Sequence, residues 1–572
     1  MKNKYLDDYY NFLQMPIEDD CFLFESYHAE STTGNPYAIF NYLKDHTVKK
    51  VWVLRDGALP IPYLTDSLNV SIVTYGSKDY FKYLATAKYL INDTSFLSYF
   101  IKRKEQIYVN TWHGTPYKTL GIDVKNMNLF DIRNIKRNFL ISDYLIMPNK
   151  YTADIIDSAF QIKSLRNNQM IISGNPRVDL NFSTPESIKL KYNIQTNKKI
   201  VLYAPTWDES GVDTEFIIEN LINKIRDIQK LLGETYTVKL KVHYFVYEKI
   251  INSKYHDLLL PNNIDTNELL SIVDRVITDY SSILFDFLPT MKPIYLLLDN
   301  YNFYENERGL YLQPNELPVQ PSFDFKSLLH DLSLPISVYL HNNKSRINNA
   351  ITNFCPMDDG LSSKRIVEEI LQNKIANRVL TNQNKKILLM IDELTESFIV
   401  DSLISYINKQ CAYENITIFT RYTSSFSLDT FLKKVHSPVN FIFKFGYTPA
   451  DSETLDHINY LVDSPITEKY DSKSINFWTN MKNRLFGNIS FTEIINFNHD
   501  SIDNNYLVEL FETSTKKLWV NSDLSSFYDY MGTKKNKNLN TLSKSINQYD
   551  EILYADFSLI EKNELFLKNL NG

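Results

Sequence analysis

The strongest constraint on this chain is an alternation repeated along its first half: a short apolar run, a turn, then an amphipathic helical stretch. Cys21–Phe24, Lys50–Leu54, Val70–Thr74, Tyr89–Asn92, Gln106–Asn110 and Tyr144–Met147 read as strands with helical patterns between them. Strands that alternate with helices imply βαβ units and a mostly parallel sheet.

The pattern restarts after the polar stretch 181–186. Lys199–Tyr203, Thr237–Val242, Arg275–Thr278 and Pro293–Leu297 read as the strands of a second unit. A helical stretch at Ser363–Gln372 closes that unit and can cross back to the first. A Lys- and Asn-rich linker over 373–386 leads to a third unit, with strands at Ile387–Ile391, Asn415–Phe419 and Val439–Phe443 and helices at Thr395–Lys409 and Leu428–Val435. The expected division is 1–185, 186–375 and 386–572. The expected fold is α/β of the GT-B type: two Rossmann-like domains facing a cleft, followed by a third, C-terminal Rossmann-like α/β domain that shows one half of such a fold without a second.

With 572 residues, 44% hydrophobic and 23% charged, the chain has the composition of a multidomain globular protein. Its net charge of −7 argues against nucleic acid as a partner. Lys102–Lys104 and Arg133, Lys136 and Arg137 are candidate basic patches. Three scattered cysteines, Cys21, Cys355 and Cys411, give no disulfide framework and fit a reducing compartment. No signal peptide and no apolar run of about 18 residues is present, so a cytoplasmic protein, at most peripheral to a membrane, is expected.

In an open α/β sheet ligands bind beyond the carboxyl ends of the strands, and several polar motifs fall there. His113 follows a strand and precedes Gly114-Thr115-Pro116, a turn that ends pairing and exposes the ring. Histidine can take a proton from a hydroxyl near neutral pH; the alternative is a core histidine satisfied by a backbone carbonyl. His243 ends a second-unit strand, and Lys241, two residues before it, shares its face. Ser281 and Ser282 follow a strand and open an apolar helix, whose free N–H groups suit a phosphate or diphosphate. Asp286, one turn further on, can orient a hydroxyl or a neighbouring cation. Arg177, in Gly174-Asn-Pro-Arg, either clamps phosphate with its planar fork or holds the junction between units. Pro205 and Thr206 end the first strand of the second unit, where backbone groups can line a base or ribose pocket. Arg308 lies in a Tyr-rich stretch, 301–311, near the same edge. His436, His457 and His499 are isolated and read as structural or solvated.

Walker, Rossmann-glycine, nucleophile-elbow and zincin motifs are absent. So is the Asp-x-Asp triplet that many sugar transferases use, so neither a metal nor a cofactor is implied.

In order, Trp112-His113-Gly-Thr-Pro, Gly174-Asn-Pro-Arg, Tyr203-Ala-Pro-Thr-Trp, Lys241-Val-His243, Thr278-Asp-Tyr-Ser-Ser and Arg308-Gly-Leu-Tyr resemble the CDP-glycerol glycerophosphotransferases, which build teichoic acid chains. Glu25-Ser-Tyr-His28 and Asn35-Pro36 also resemble that family's opening, and the likeness spans roughly residues 20–372. It implies a GT-B phosphotransferase that moves glycerol phosphate from CDP-glycerol to a hydroxyl of a lipid-linked polymer and releases CMP, at the inner face of the cell membrane. It implies His113 and His243 as the two essential histidines and Ser281 and Ser282 at the diphosphate. Asp208 stands where the family usually has Arg, which leaves CDP-ribitol or another alditol donor open. A GT-B glycosyltransferase using a nucleotide sugar is the runner-up. The third unit, outside the likeness, is expected to serve docking, homo-oligomerisation or acceptor binding, and Arg133 to Arg137 with nearby aromatics are candidates for a membrane-facing surface.

Overall fold

The computed structural model describes residues 5–206, 214–242, 244–260, 263–372, 385–410, 415–463, 472–512, 514–530, 542–543 and 545–571. His243, Trp207, Asp208, Cys411 and most of the 373–386 linker lie outside the described residues.

The apolar runs of the first unit become seven parallel strands: β1 (Glu18–Glu25), β2 (Lys49–Leu54), β3 (Val70–Thr74), β4 (Ala87–Asn92), β5 (Ile107–Asn110), β6 (Tyr144–Met147) and β7 (Gln169–Ile172). They are ordered β3-β2-β1-β4-β5-β6-β7. Because parallel strands need crossovers, helices cover both faces and the strands are apolar on both sides. The helix Ser362–Leu371 does cross back: Ile366, Val367 and Ile370 lie in one cluster with Phe22, Phe24 and Trp52.

The second sheet holds β8 (Lys199–Ala204), β9 (Tyr236–Leu240), β10 (Arg275–Thr278) and β11 (Ile294–Leu296), ordered β11-β10-β8-β9 and all parallel. β9 stops at Leu240, so Lys241 and Val242 lie past the strand end rather than within it.

The third unit corrects the half-fold expectation. It is a complete six-stranded parallel sheet: β12 (Lys386–Glu393), β13 (Asn415–Arg421), β14 (Val439–Lys444), β15 (Glu493–Asn496), β16 (Thr515–Val520) and β17 (Glu551–Tyr554). The order β14-β13-β12-β15-β16-β17 is the doubly wound 3-2-1-4-5-6 arrangement. β15 and β17 have only four residues each, and the last three strands carry Glu493, Lys517 and Glu551 on one face. There Lys517 pairs with Glu493 at 3.5 Å and with Glu551 at 2.9 Å. That ion ladder breaks the continuous apolar run by which a buried parallel strand is read.

The third unit is packed onto the first through one apolar cluster. Trp112, Phe139 and Phe160 of the first unit meet Leu388, Met390, Trp478 and Phe486 of the third. Arg484 donates to Ser98 O at 3.0 Å, and Arg137 donates to Arg484 O at 3.2 Å. This seam overturns the reading of Arg133 to Arg137 as a membrane-facing surface. Lys136 and Arg137 are buried, and Arg133 lies 3.8 Å over the Phe130 ring. Lys102 is likewise buried, paired with Asp143 at 2.9 Å. Arg133 and Arg137 donate to backbone carbonyls, and Lys102 serves a buried carboxylate. Among the described residues no helix is long and apolar enough to cross a membrane.

Candidate active site

His113 is positioned by three consecutive devices. The strand β5 ends at Asn110, whose side-chain oxygen accepts from Trp112 N at 3.0 Å. Asn35 donates to Trp112 O at 2.9 Å and fixes the peptide that leads to His113. Trp112 then takes a left-handed φ of 48°, which sends its ring into the seam with the third unit. The His113 ring packs against that indole, with centroids 3.8 Å apart.

His113 Nδ1 lies 3.1 Å from Asp93 O, just past β4. A carbonyl can only accept, so Nδ1 carries the hydrogen and Nε2 carries the lone pair. Burial, with the nearby Arg177 charge, holds the imidazole down at about 4. The ring is therefore neutral at pH 7, with a free base nitrogen. It is both carbonyl-satisfied and base-competent, so the two alternatives drawn from sequence are not exclusive.

Gly114 permits the next contact. Its φ is +118°, and a Cβ there would lie 2.3 Å from Arg177 Nη2. The Arg177 guanidinium thus lies directly over the backbone following His113. It pairs with Asp286 at 2.8 Å and donates to Tyr27 Oη at 3.3 Å. Asn175 also donates to Asp286, at 3.0 Å. The cation beside Asp286 is Arg177. Together they join the first unit to the second. Thr115 is buried and accepts from Asn149 Nδ2 at 2.8 Å.

A second tie runs along the cleft wall. Lys118 bridges to Leu310, and Thr119 donates to Arg308 O at 2.7 Å. Arg308 contributes its carbonyl to this strap, while its side chain is on the exposed end of the helix Tyr301–Arg308. Gly34 N donates to Asp265 at 2.9 Å, and Lys241 lies near the same carboxylate, which offsets the downward pull of burial on its ammonium.

On the second unit, a cavity of about 280 Å³ opens beyond β8 and β10, lined in part by Tyr203, Pro205, Thr206, Phe216, Lys224 and Asn300. Asp279 anchors its wall, accepting from Thr206 N at 2.8 Å, and burial pushes its carboxyl up to about 6. Ser281 and Ser282 follow, both part-exposed. The helix they open differs from expectation. It spans Ile283–Phe287 only, Ser282 makes no side-chain cap, and Ser281 Oγ lies 3.4 Å from Ile283 N. The chain then tightens into a 3-10 turn over Leu288–Thr290, where Pro289 offers no N–H, and Met291 ends it with a left-handed φ of 58°.

The structure therefore brings His113, Gly114, Thr115, Arg177 and Asp286 together at the unit junction. It brings Pro205 and Thr206 together around Asp279 beside the cavity. Sequence reading assigned no role to Asp93, Tyr27 or Asp279. Asp93 and Asp279 each directly follow an apolar strand, the same signal that marked His113.

The family described as CDP-Glycerol:Poly(glycerophosphate) glycerophosphotransferase matches residues 9–372. The chain is 32% identical over 381 residues to a teichoic acid poly(glycerol phosphate) polymerase of Bacillus spizizenii, covering 62% of this chain and 93% of that one. It is 28% identical over 367 residues to a teichoic acid glycerol-phosphate transferase of Staphylococcus aureus, covering 61% and 92%. A teichoic acid ribitol-phosphate primase of Bacillus spizizenii is 25% identical over 383 residues, covering 62% and 92%. Among solved structures, the wall teichoic acid polymerase TagF superposes with a TM-score of 0.55 at 25% identity, covering 63% of this chain and 90% of that chain.

Proposed function

The chain belongs to the CDP-glycerol:poly(glycerophosphate) glycerophosphotransferase family, and from that premise we propose that it transfers glycerol phosphate from CDP-glycerol to a hydroxyl of a teichoic acid chain, releasing CMP. The observation that carries the chemistry is the neutral His113 ring, with Nδ1 held by Asp93 O and Nε2 left as a base. His113 takes the proton of the acceptor hydroxyl. The oxygen forms a bond to the β-phosphorus, the bond to the bridging oxygen breaks, and CMP leaves with that electron pair. The cavity beside Asp279 and Thr206 receives the cytidine end, and Ser281 and Ser282 face the diphosphate. His243 and Lys241 supply positive charge on the donor side.

Residues 1–185 then form the acceptor side and 186–375 the donor side. The third unit buttresses the Trp112–His113 segment. A lipid-linked acceptor would bring the protein to the inner membrane face as a peripheral enzyme.

A panel of CDP-glycerol, CDP-ribitol and UDP-sugars with a lipid-linked acceptor, read by nucleotide release, tests the reading. CMP release with CDP-glycerol is expected; UDP release from a sugar donor instead would overturn it. His113→Ala should lower turnover by at least about 10²-fold, the usual worth of a general base. Donor binding by that variant should persist.

A further inference from the structure

Behind His113 lies a carboxyl whose hydrogen bonds can be counted. Ser26 Oγ is 2.8 Å from Thr33 O and also 2.8 Å from Asp93 Oδ2. A hydroxyl has one hydrogen, and a carbonyl oxygen can only accept. Both 2.8 Å contacts are hydrogen bonds at the same time only if Ser26 donates to Thr33 O and Asp93 supplies the proton of the other; an ionised Asp93 would have to compete with Thr33 O for the one hydroxyl hydrogen. Its other oxygen accepts from Tyr27 N at 2.9 Å, and its main-chain oxygen receives His113 Nδ1 at 3.1 Å. Tyr27, His28 and Ala29 all have left-handed φ values, 47°, 57° and 65°, so the turn that Asp93 holds is one that relaxes if released.

We propose that Asp93 is held as a neutral carboxylic acid in the chain Asp93 to Ser26 to Thr33 O, and that it is the positioning residue that fixes the tautomer and orientation of His113. The surroundings agree. Asp93 is fully buried, and the groups facing it are Glu25 on β1, Tyr27 in the turn, Tyr108 on β5, His113, and Arg177 after β7. The Glu25 carboxyl beside it is itself pushed up to about 8, by burial first and then by Asp93, and Arg177 is already paired with Asp286. Burial pushes the Asp93 carboxyl up to about 7. Above that pH the ionised acid has nothing to donate to Ser26, and the turn and the ring it holds loosen together.

This inference rests on His113 as the base, but its test does not require turnover. Ring ¹⁵N shifts of His113 report the tautomer with no substrate present. Wild type and Asp93→Asn are expected to show the Nδ1–H form, because an amide reproduces the neutral acid: Oδ1 accepts from Tyr27 and Nδ2 donates to Ser26. Asp93→Ala should give a tautomer mixture. With substrates at pH 6, Asp93→Asn should lose no more than about threefold in kcat, and Asp93→Ala more than about 100-fold, the scale of a mispositioned base. Should Asp93→Ala fail to fold, Ser26→Ala separates the cases. Removing the acceptor of the Asp93 proton moves the alkaline fall of kcat to lower pH, whereas removing a donor to a carboxylate would move it higher. An upward move, or Asp93→Asn as damaged as Asp93→Ala, overturns the proposal. Absence of CMP release from every donor overturns the proposed function and leaves the ring measurement standing.

Discussion

Asp286→Ala is the perturbation whose consequence can be worked furthest. Asp286 and Arg177 have side chains 5% and 7% exposed and meet at 2.8 Å, so solvent screens the pair little. Breaking a buried pair from one side costs about 3–5 kcal/mol, because a charge is left uncompensated. The two single variants should differ. A guanidinium cannot shed its proton, so Asp286→Ala leaves a permanent buried cation and should reach that full range. Arg177→Ala leaves a carboxyl that burial already pushes upward and that can protonate instead. Its cost should fall below that range and should shrink further as pH falls. The double variant should cost less than the two singles summed. Urea denaturation of all four proteins at pH 7 and pH 5 measures the cycle, with CDP-glycerol KM taken in parallel. The reasoning fails if Asp286→Ala costs under about 1 kcal/mol, the scale of a surface pair. It fails equally if Arg177→Ala keeps full stability and raises only the donor KM, which would return Arg177 to the phosphate.

Three further outcomes are expected. His113 has a depressed folded-state value of about 4 against the ordinary 6.5, so between those pH values the unfolded chain binds a proton that the folded chain does not. Stability should therefore fall as pH drops from about 6.5 to 4, and His113→Gln should flatten that part of a pH series of urea midpoints. The acid limb of kcat/KM should follow the same group and vanish below it. Gly114→Ala forces a left-handed φ of +118° onto a residue with a Cβ and drives that carbon into Arg177. A loss of about 1–3 kcal/mol in denaturation and a raised KM are expected. Trp478→Ala empties part of the apolar cluster that also holds Trp112 and Phe139 and should cost about 3–5 kcal/mol. It should also lower kcat, although Trp478 lies in the third unit; unchanged kcat would detach that unit from His113.

Much of the site was legible because it is local. His113 and Ser281 each follow an apolar run, and strand ends are visible one residue at a time. Asp93 carried the same signal with no motif around it, and Asp279 lay inside Thr278-Asp-Tyr-Ser-Ser, where only the two serines suggested a role. Arg177 was undecidable from sequence, since a planar fork suits phosphate and carboxylate alike. Its partner lies 109 residues away in the other unit. The basic run at 133–137 misled for a related reason: charge density along a sequence does not say whether a second domain covers it.

The sequence by itself determined the repeated βαβ pattern, the parallel sheets and the polar strand ends, because each follows from periodicity and turn chemistry within some ten residues. Tertiary structure alone decided the His113 tautomer, the partner of Arg177, the completeness of the third sheet and its seam with the first. Each of those depends on which carbonyl, carboxylate or apolar face arrives from a distant segment, and hydrogen bonding and burial are settled by what is adjacent in space.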